Sequence, residues 1–184
     1  MKVTATELDG VLLIEPRLFP DDRGSFFESY HAQRYAAAGL PERFVQDNHS
    51  SSVPRTIRGL HYQLSQPQGK LVRVIRGAVF DVAADIRQGS PTFGRWVSVV
   101  LSAENRLQLY IPPGFAHGFC VMDQASEVEY KCTDFYRADD QRGVRWDDPT
   151  LAITWPVTTP LLSDKDGALQ PLSANRDDLP VYGP

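Results

Sequence analysis

The sequence has only two cysteines, no long hydrophobic run and no excess of basic residues. Cys120 and Cys132 are too few for a disulfide scaffold or for a zinc site of four cysteines, so we expect two buried free thiols. No apolar run approaches the roughly 20 residues of a membrane-spanning helix. The first ten residues lack the apolar core of a signal peptide. We therefore expect no membrane association and a cytoplasmic location.

The net charge is −4, from 19 Lys and Arg against 23 Asp and Glu, which argues against general nucleic-acid binding because such domains are basic. The distribution is uneven, since no acidic residue lies between Asp47 and Asp81. The basic residues of this segment are Arg55, Arg58, Lys70, Arg73 and Arg76. Such a segment is suited to a small anion such as a nucleotide diphosphate. Charge alone slightly favours a solvated basic surface.

The length of 184 residues predicts one domain, spanning residues 1–184. From residue 44 onward, short apolar segments alternate with Gly and Pro turns at intervals of roughly 10 residues, a pattern typical of antiparallel sandwiches and barrels. The predicted strands are 11–15, 57–64, 70–76, 78–86, 95–101, 106–111, 115–121 and 126–132. A turn is predicted at 21–24 and an extended segment at 25–30. The alanine-rich segment 31–38 predicts a short helix, and the tail from about 147 is predicted to be mostly irregular.

Two of the four histidines lie in predicted strands, His61 in 57–64 and His117 in 115–121. His117 shares one face of its strand with Phe115, Phe119 and Val121, because side chains alternate with a period of 2. An isolated histidine on such a face is more often a core residue that makes one hydrogen bond. Two such histidines in one small barrel favour a functional site.

The spacing Pro112-x-Gly114-x-x-His117 resembles the second conserved motif of the cupin superfamily, whose members are jelly-roll barrels. Metal-binding cupins carry a His-x-His pair and a glutamate in their first motif. The corresponding segment here is His61-Tyr62-Gln63, so the second histidine is missing. A metal site needs three or more protein ligands, and Asp81 as a third ligand is a weak alternative. We expect no metal and no other cofactor.

A closer resemblance covers residues from about 11 to 166. Eight segments in order resemble the dTDP-4-dehydrorhamnose 3,5-epimerase family: RGSFFESY (23–30), FVQDNHS (44–50), RGLHYQ (58–63), QGKLVR (68–73), FDV (80–82), SPTFG (90–94), LSAEN (101–105) and PGFAHGF (113–119). The resemblance implies an all-β fold, a cupin-like jelly-roll β-barrel (double-stranded β-helix) with one or more short peripheral helices. It also implies a dTDP-sugar substrate, the third step of dTDP-L-rhamnose synthesis and a homodimer that exchanges its N-terminal arms.

The resemblance implies two His–Asp pairs. His61 matches the family's catalytic base, and an imidazole suits this role because it titrates near neutral pH. Asp166 matches the carboxylate that pairs with this histidine; without the family, a surface loop acid would be the better interpretation. His117 with Asp81 matches a second pair that contacts the sugar. An aspartate inside a barrel strand is costly to bury unless it is paired.

Tyr130 and Lys70 match the other two catalytic residues of the family. Tyr130 would be the acid that returns a proton. The alternation of its strand, taken alone, is that of a tyrosine in the core. Lys70 would stabilise the enolate oxygen, because a fixed positive charge acts strongly where negative charge develops. Without the family, Lys70 would be interpreted as an ordinary lysine at the edge of a strand, which is the commoner location of this residue.

The resemblance further implies contacts to the nucleotide. Arg23 and Arg58 match diphosphate ligands, a role suited to the planar guanidinium. The residues that match contacts to the thymidine part are Glu28, Gln46 and Asn48.

Two aromatic residues, Phe26 and Tyr136, match groups that flank the base. Gln141 and Lys165 align with weaker nucleotide contacts. In the family, Arg23 and Phe26 come from the partner subunit, which makes the dimer necessary for a complete site.

Three alternatives remain at the level of sequence. The nearest is a single-carbon epimerase of a related dTDP-4-keto-6-deoxy sugar, against which the presence of Tyr130 argues. A metal-dependent cupin oxygenase is disfavoured by Gln63. A non-catalytic sugar-nucleotide binding module would not need His61, Lys70 and Tyr130 together.

Overall fold

Two antiparallel sheets face each other in this protein. The structure, a computed structural model, describes residues 1–122, 124–173 and 175–183. The strands are β1 (Lys2–Ala5), β2 (Leu12–Glu15), β3 (Leu18–Asp21), β4 (Gly24–Phe27), β5 (Gln46–Ser52), β6 (Ile57–Gln63), β7 (Lys70–Arg76), β8 (Ala78–Asp85), β9 (Trp96–Ser102), β10 (Gln108–Ile111), β11 (Phe115–Val121), β12 (Ser126–Cys132) and β13 (Gln141–Gly143). The helices are α1 (Ala32–Ala37) and α2 (Asp164–Gly167).

The strand order is that of a jelly roll. One sheet has six strands in the order β1-β2-β10-β7-β12-β5, and the other has five in the order β13-β6-β11-β8-β9. Strands β3 and β4 form a separate hairpin whose turn lies where the sequence predicted it. The prediction of an all-β, cupin-like barrel with short helices is confirmed.

The main apolar core lies between the two sheets. Alternate residues of each strand point into it, as the period of 2 predicts. The six-stranded sheet contributes Val72, Val74, Leu109 and Val128, and the five-stranded sheet contributes Val79, Ala83, Phe115, Phe119 and Val121. His117 therefore has core neighbours on its own strand, as predicted from the alternation.

The C-terminal tail forms a second packing layer on the outer face of the five-stranded sheet. Val82 and Ala84 of β8 point toward this layer, and Leu151, Leu172 and Leu179 of the tail pack against them. Both faces of β8 are therefore buried. The prediction of an irregular tail misses α2, which has only four residues, and it does not reveal that the tail is part of the core.

The remaining secondary structure follows the sequence closely, with short elements as the exceptions. The predicted helix is α1, and the His31 side chain caps it by accepting a hydrogen bond from the Arg34 amide. Strands β1, β3 and β13 were not predicted, because three or four residues are too few to show alternation. Strand β5 was not predicted either, because its sequence QDNHSSS has no apolar residues that could alternate.

A close approach of β6 and β11 depends on two glycines. A β-carbon on Gly59, whose φ is +111°, would lie 2.6 Å from the Cα atom of Gly118 and 2.6 Å from the carbonyl oxygen of His117. A β-carbon on Gly118 would lie 2.7 Å from the carbonyl oxygen of Arg58. The register shifts at this point, and His61 pairs directly with His117. The glycines thus allow the two histidines to stand side by side.

Both cysteines are free and buried, which confirms the prediction from their number. Within the described part of the chain, no helix has the length and apolar character needed to cross a membrane.

Candidate active site

Two His–Asp pairs have their histidines on β6 and β11, which are neighbouring strands of the five-stranded sheet. His61 Nε2 lies 2.6 Å from Asp166 Oδ1, and His117 Nε2 lies 2.9 Å from Asp81 Oδ1. An ionised carboxylate can only accept hydrogen bonds, so in the first pair His61 Nε2 carries the proton. A neutral His61 then keeps an unprotonated Nδ1, which is the atom that can act as a base.

Helix α2 holds Asp166 in place beside His61. The Ser163 side chain accepts a hydrogen bond from the Asp166 amide at 3.1 Å. Asp166 itself is only 5% exposed. Burial opposes ionisation of Asp166, but the hydrogen bonds from His61, Ser163 and the Gly59 amide outweigh it and lower its pKa. The carboxylate therefore stays charged and fixes the tautomer of His61.

Burial has the largest effect on His61 and lowers its pKa below the ordinary value of 6.5. Asp166 opposes this shift, and the positive charges of Lys70 and Lys165 add to it. His61 is therefore neutral near pH 7, which is the form that accepts a proton.

Substitution of Asp166 by asparagine should lower the rate by about 10²-fold, because the tautomer of His61 is no longer fixed. The pKa of His61 should fall further, since Asp166 is the group that raises it. The acidic limb of the pH–rate profile, already below 6.5, should therefore move to lower pH. Measuring kcat across pH tests this, with Asp164→Asn on the exposed side of α2 as control. An unchanged rate, or a limb that moves to higher pH, would contradict the assignment.

Lys70 and Tyr130 face the two histidines from the opposite sheet. Lys70 begins β7 and pairs with Cys132, and Tyr130 lies two residues earlier on β12. Burial lowers the pKa of Lys70, while Cys132 and Asp81 oppose the shift. Burial raises the pKa of Tyr130, so its phenol keeps its proton at neutral pH. One sheet thus presents a base, and the other presents a cation and a proton donor.

Two adjoining cavities, of about 260 and 360 Å³, open between the sheets. The residues lining both are His61, Lys70, Tyr130, Tyr136 and Gln141. We call the smaller one the Gln46 cavity, which also includes Asn48 and Gln63. We call the larger one the His117 cavity; its further residues are Ser50, Arg58, Phe119, Ser163, Lys165 and Asp166.

Gln141 joins two parts of the cavity wall. Its Oε1 accepts hydrogen bonds from the Tyr136 hydroxyl and from Lys165 Nζ, both at 2.7 Å. The Tyr136 amide also donates to Gln46 Oε1 at 2.8 Å. Gln46 is in turn hydrogen-bonded to Asn48, so the structure brings five of the predicted nucleotide contacts into one hydrogen-bonded group.

Gln63 is a residue whose role the sequence did not reveal. Its side chain is 4% exposed, and its Nε2 donates to the carbonyl oxygens of Gln66 and Phe135 at 2.7 and 3.2 Å. Its Oε1 accepts from the Arg137 amide at 2.8 Å. Gln63 thus anchors the loop that carries Tyr136. In the sequence it served only as an argument against a metal, and no periodicity marks such an anchor.

Asp81 is fully buried behind His117 and lines neither cavity. Three further predicted residues also lie outside both cavities. Arg23 is in the turn of the β3–β4 hairpin, where it forms a salt bridge with Asp21 at 2.6 Å. Phe26 is 67% exposed on the same hairpin. Glu28 forms an ion pair with Arg34 and lines a separate cavity beneath the hairpin. Within one chain, these side chains do not meet the histidines.

The basic segment of the sequence divides between two faces. Arg58 and Lys70 line the His117 cavity. Arg73 and Arg76 pair instead with Glu129 and Glu127, at 2.6 and 3.2 Å. The segment therefore provides both a cavity lining and a solvated charged surface.

The outer face of the six-stranded sheet carries a further cavity of about 420 Å³. Tyr30, Arg73, Glu129 and Lys131 are among its lining residues, and it contains neither His–Asp pair. Over residues 1–122, 124–173 and 175–183, no group of three or more His, Cys, Asp and Glu residues is arranged to hold a metal ion.

Comparisons with known proteins agree with this geometry. A family sequence profile described as dTDP-4-dehydrorhamnose 3,5-epimerase matches residues 5–174. The enzyme of that name from Pseudomonas aeruginosa is 55% identical over 168 residues, which cover 90% of this chain and 93% of the relative. A dTDP-4-dehydrorhamnose 3-epimerase from Streptomyces niveus is 40% identical over 186 residues, covering 99% of this chain and 90% of the relative.

A solved structure extends the likeness to three dimensions. The dTDP-6-deoxy-D-glucose-3,5-epimerase of Legionella pneumophila, crystallised with dTDP-4-keto-L-rhamnose, superposes with a TM-score of 0.95. It is 48% identical in sequence, and the match covers 100% of this chain and 99% of that one. On the profile match, the relatives and the shared fold, the chain belongs to the dTDP-4-dehydrorhamnose 3,5-epimerase family.

Proposed function

We propose that this protein converts dTDP-4-dehydro-6-deoxy-D-glucose to dTDP-4-dehydro-β-L-rhamnose by inverting carbons 3 and 5. The observation that carries the proposal is the position of His61 and Tyr130 on facing sheets of one cavity. Inversion requires a proton to leave one face of a carbon and to return on the other. A base and an acid on opposite walls supply this directly.

The reaction uses the acidity that the ketone at carbon 4 gives to its neighbours. His61 Nδ1 removes the proton from carbon 3 or carbon 5, and the electron pair moves to the ketone oxygen to form an enolate. The ammonium group of Lys70 stabilises that oxygen. Tyr130 then delivers its proton to the opposite face of the same carbon. Each inversion leaves His61 with one proton more and Tyr130 with one fewer, and exchange with water restores both.

The substrate's nucleotide binds through the remaining cavity residues in this proposal. Arg58 binds the diphosphate, and the thymidine part contacts Gln46 and Asn48, with Tyr136 against the base. Gln141 and Lys165 add weaker contacts. The His117–Asp81 pair binds the sugar. The ligand of the Legionella pneumophila relative, dTDP-4-keto-L-rhamnose, supports this class of substrate.

We further propose a homodimer in which the β3–β4 hairpin of each chain completes the site of the other. Support comes from the exposure of Phe19 and Phe26, 45% and 67%, and from Arg23, which is not among the residues that line its own chain's cavities. Mixing inactive Arg23→Ala and His61→Ala chains should restore part of the activity, because one site in each mixed dimer then lacks both changes. Activity that stays absent in verified mixed dimers would contradict the exchange.

The enzyme acts in this proposal as a single domain in the cytoplasm. Residues 1–184 act as one catalytic domain, since the tail from about 147 supplies Asp166. The two free thiols fit a reducing compartment, which supports a cytoplasmic location.

Proton NMR in heavy water tests the double reaction against the single-carbon alternative, which the Streptomyces niveus relative makes the main competitor. Chelator-treated enzyme should introduce deuterium at both carbon 3 and carbon 5 of dTDP-4-dehydro-6-deoxy-D-glucose. A downstream reductase should then trap the L-sugar. Exchange at carbon 3 alone would assign a single-carbon epimerase, and no exchange would refute both.

A further inference from the structure

The Ser50 hydroxyl is buried and has no hydrogen-bond partner. Among residues 1–122, 124–173 and 175–183, two buried side-chain oxygens share this condition, Ser50 Oγ and Asp81 Oδ2. Asp81 is held through its other oxygen by His117, so its role is already fixed. Ser50 has no such bond. Buried polar groups in folded proteins nearly always find partners, so this one needs an explanation.

Ser50 belongs to a row of polar residues on an inward-facing strand. Alternate positions of β5 face the cavities and the strand's inner side, and they are occupied by Gln46, Asn48, Ser50 and Ser52. On β12, the residue directly opposite Ser50 is the core residue Val128. An apolar side chain at position 50 could pack against the core beside Val128 without leaving a polar group buried. A serine there costs stability in the free protein, because its hydroxyl is removed from water without compensation.

The polar neighbours of Ser50 on this face of β5 all have hydrogen-bond partners within the protein. The Gln46 and Asn48 side chains hydrogen-bond to each other at 2.9 Å. Ser52 Oγ accepts a hydrogen bond from Arg58 Nε at 2.9 Å and so orients the guanidinium. Ser50 stands between the proposed thymidine contacts and the proposed diphosphate contact.

Ser50 also lines the His117 cavity, with Arg58, Phe119 and Tyr130 among the other lining residues. The position of the hydroxyl oxygen depends on one torsion angle, χ1. Rotation about the Cα–Cβ bond therefore redirects the hydroxyl without any backbone movement. An acceptor oxygen that enters the cavity beside Arg58 would therefore find an unused donor.

We propose that the Ser50 hydroxyl is an additional substrate-binding group that donates a hydrogen bond to an oxygen of the bound sugar diphosphate. This inference rests on the proposed function, since it takes its ligand from there. Before binding, no protein group among the described residues is a hydrogen-bond partner of the hydroxyl. After binding, the substrate supplies the acceptor, and the cost of burying the serine is recovered only in the complex.

Calorimetric titration of Ser50→Ala with dTDP and with dTDP-glucose tests the proposal without turnover. We expect the affinity for dTDP-glucose to fall by about 5- to 20-fold, the effect of one lost hydrogen bond to a polar or charged acceptor. The melting temperature of the ligand-free variant should be equal to or above that of the unmodified protein. An equal loss with dTDP would place the acceptor on the diphosphate, and a loss confined to dTDP-glucose would place it on the sugar.

Two further variants separate a hydrogen bond from a packing effect. Ser51→Ala changes the neighbouring exposed residue, and its affinities should match those of the unmodified protein. Ser50→Cys keeps the shape of the side chain, with a somewhat larger sulfur atom, but weakens the donor, so it should lose affinity as Ser50→Ala does.

Three results would overturn the assignment of Ser50: unchanged affinity of Ser50→Ala for both ligands, a lower melting temperature without ligand, or full affinity in Ser50→Cys. If the unmodified protein binds neither nucleotide, the proposed function itself fails, and this outcome is distinct from all three.

Discussion

Replacing His61 with alanine should lower kcat by at least about 10³-fold while leaving dTDP affinity within about threefold of the original. The loss follows from removing the base, whose contribution as a general acid–base group is typically 10²–10⁴-fold. Binding should persist because the proposed nucleotide contacts are made by other side chains, on β5 and, in the case of Arg58, on β6 beside His61. Deuterium exchange at carbons 3 and 5 should be lost together with turnover, since proton removal is the first step at each carbon.

The matched control is His49→Ala. His49 lies on the outer face of β5, 3.4 Å from both Glu127 and Glu129, and it contacts neither His–Asp pair. Its substitution should leave kcat unchanged. Near-normal turnover of His61→Ala would show that another group is the base.

Replacing Lys70 with methionine should lower kcat by roughly 10²- to 10³-fold with little change in KM. The ammonium acts where negative charge develops, and removing one such electrostatic contact typically has an effect of this size. Methionine fills similar space without a charge, so the melting temperature should be maintained or raised. In the part of the chain that the structure describes, no carboxylate forms a salt bridge with Lys70, so its charge is available to the enolate.

The pH dependence gives a second measure of the role of Lys70. Burial lowers the pKa of Lys70, so the alkaline limb of kcat should lie below the usual range of lysine. Lys70→Arg should move that limb to higher pH, because a guanidinium does not deprotonate in this range. The control is Lys131→Met, which removes an outer-face lysine that is paired with Asp47 at 3.0 Å. A Lys70→Met enzyme with full kcat would contradict enolate stabilisation.

The sequence predicted the strands of the barrel well because their signal is local. The sequence predicted a strand over 78–86, and the structure shows Val79 and Ala83 on one face of β8 and Val82 and Ala84 on the other. The sequence did not reveal that both faces are buried. That depends on the tail, whose apolar residues show no period because they are spread over irregular backbone.

The candidate site was predictable in part from residues and in part from the family alone. His61 and His117 stood out as strand histidines among apolar neighbours. Asp166 did not, since its partner His61 is 105 positions away and nothing local marks it as buried. Gln63 and Ser50 carry no pattern at all. Their importance depends on which backbone amides, or which empty space, the fold places beside them.

Because the tail supplies Asp166, catalytic activity requires that the tail be packed on the barrel. The barrel strands that carry His61, Lys70 and Tyr130 all precede the tail, and Asp166 reaches His61 only when residues after β13 have docked on the outer face of the five-stranded sheet. The contact between positions 61 and 166 is long-range, and the entropy lost in closing it must be repaid by the packing of the tail. A chain with a formed barrel but an undocked tail would have an unoriented imidazole. Such a state would hold the cavity but would not enolise what enters it, so proton abstraction depends on the outermost layer of the fold.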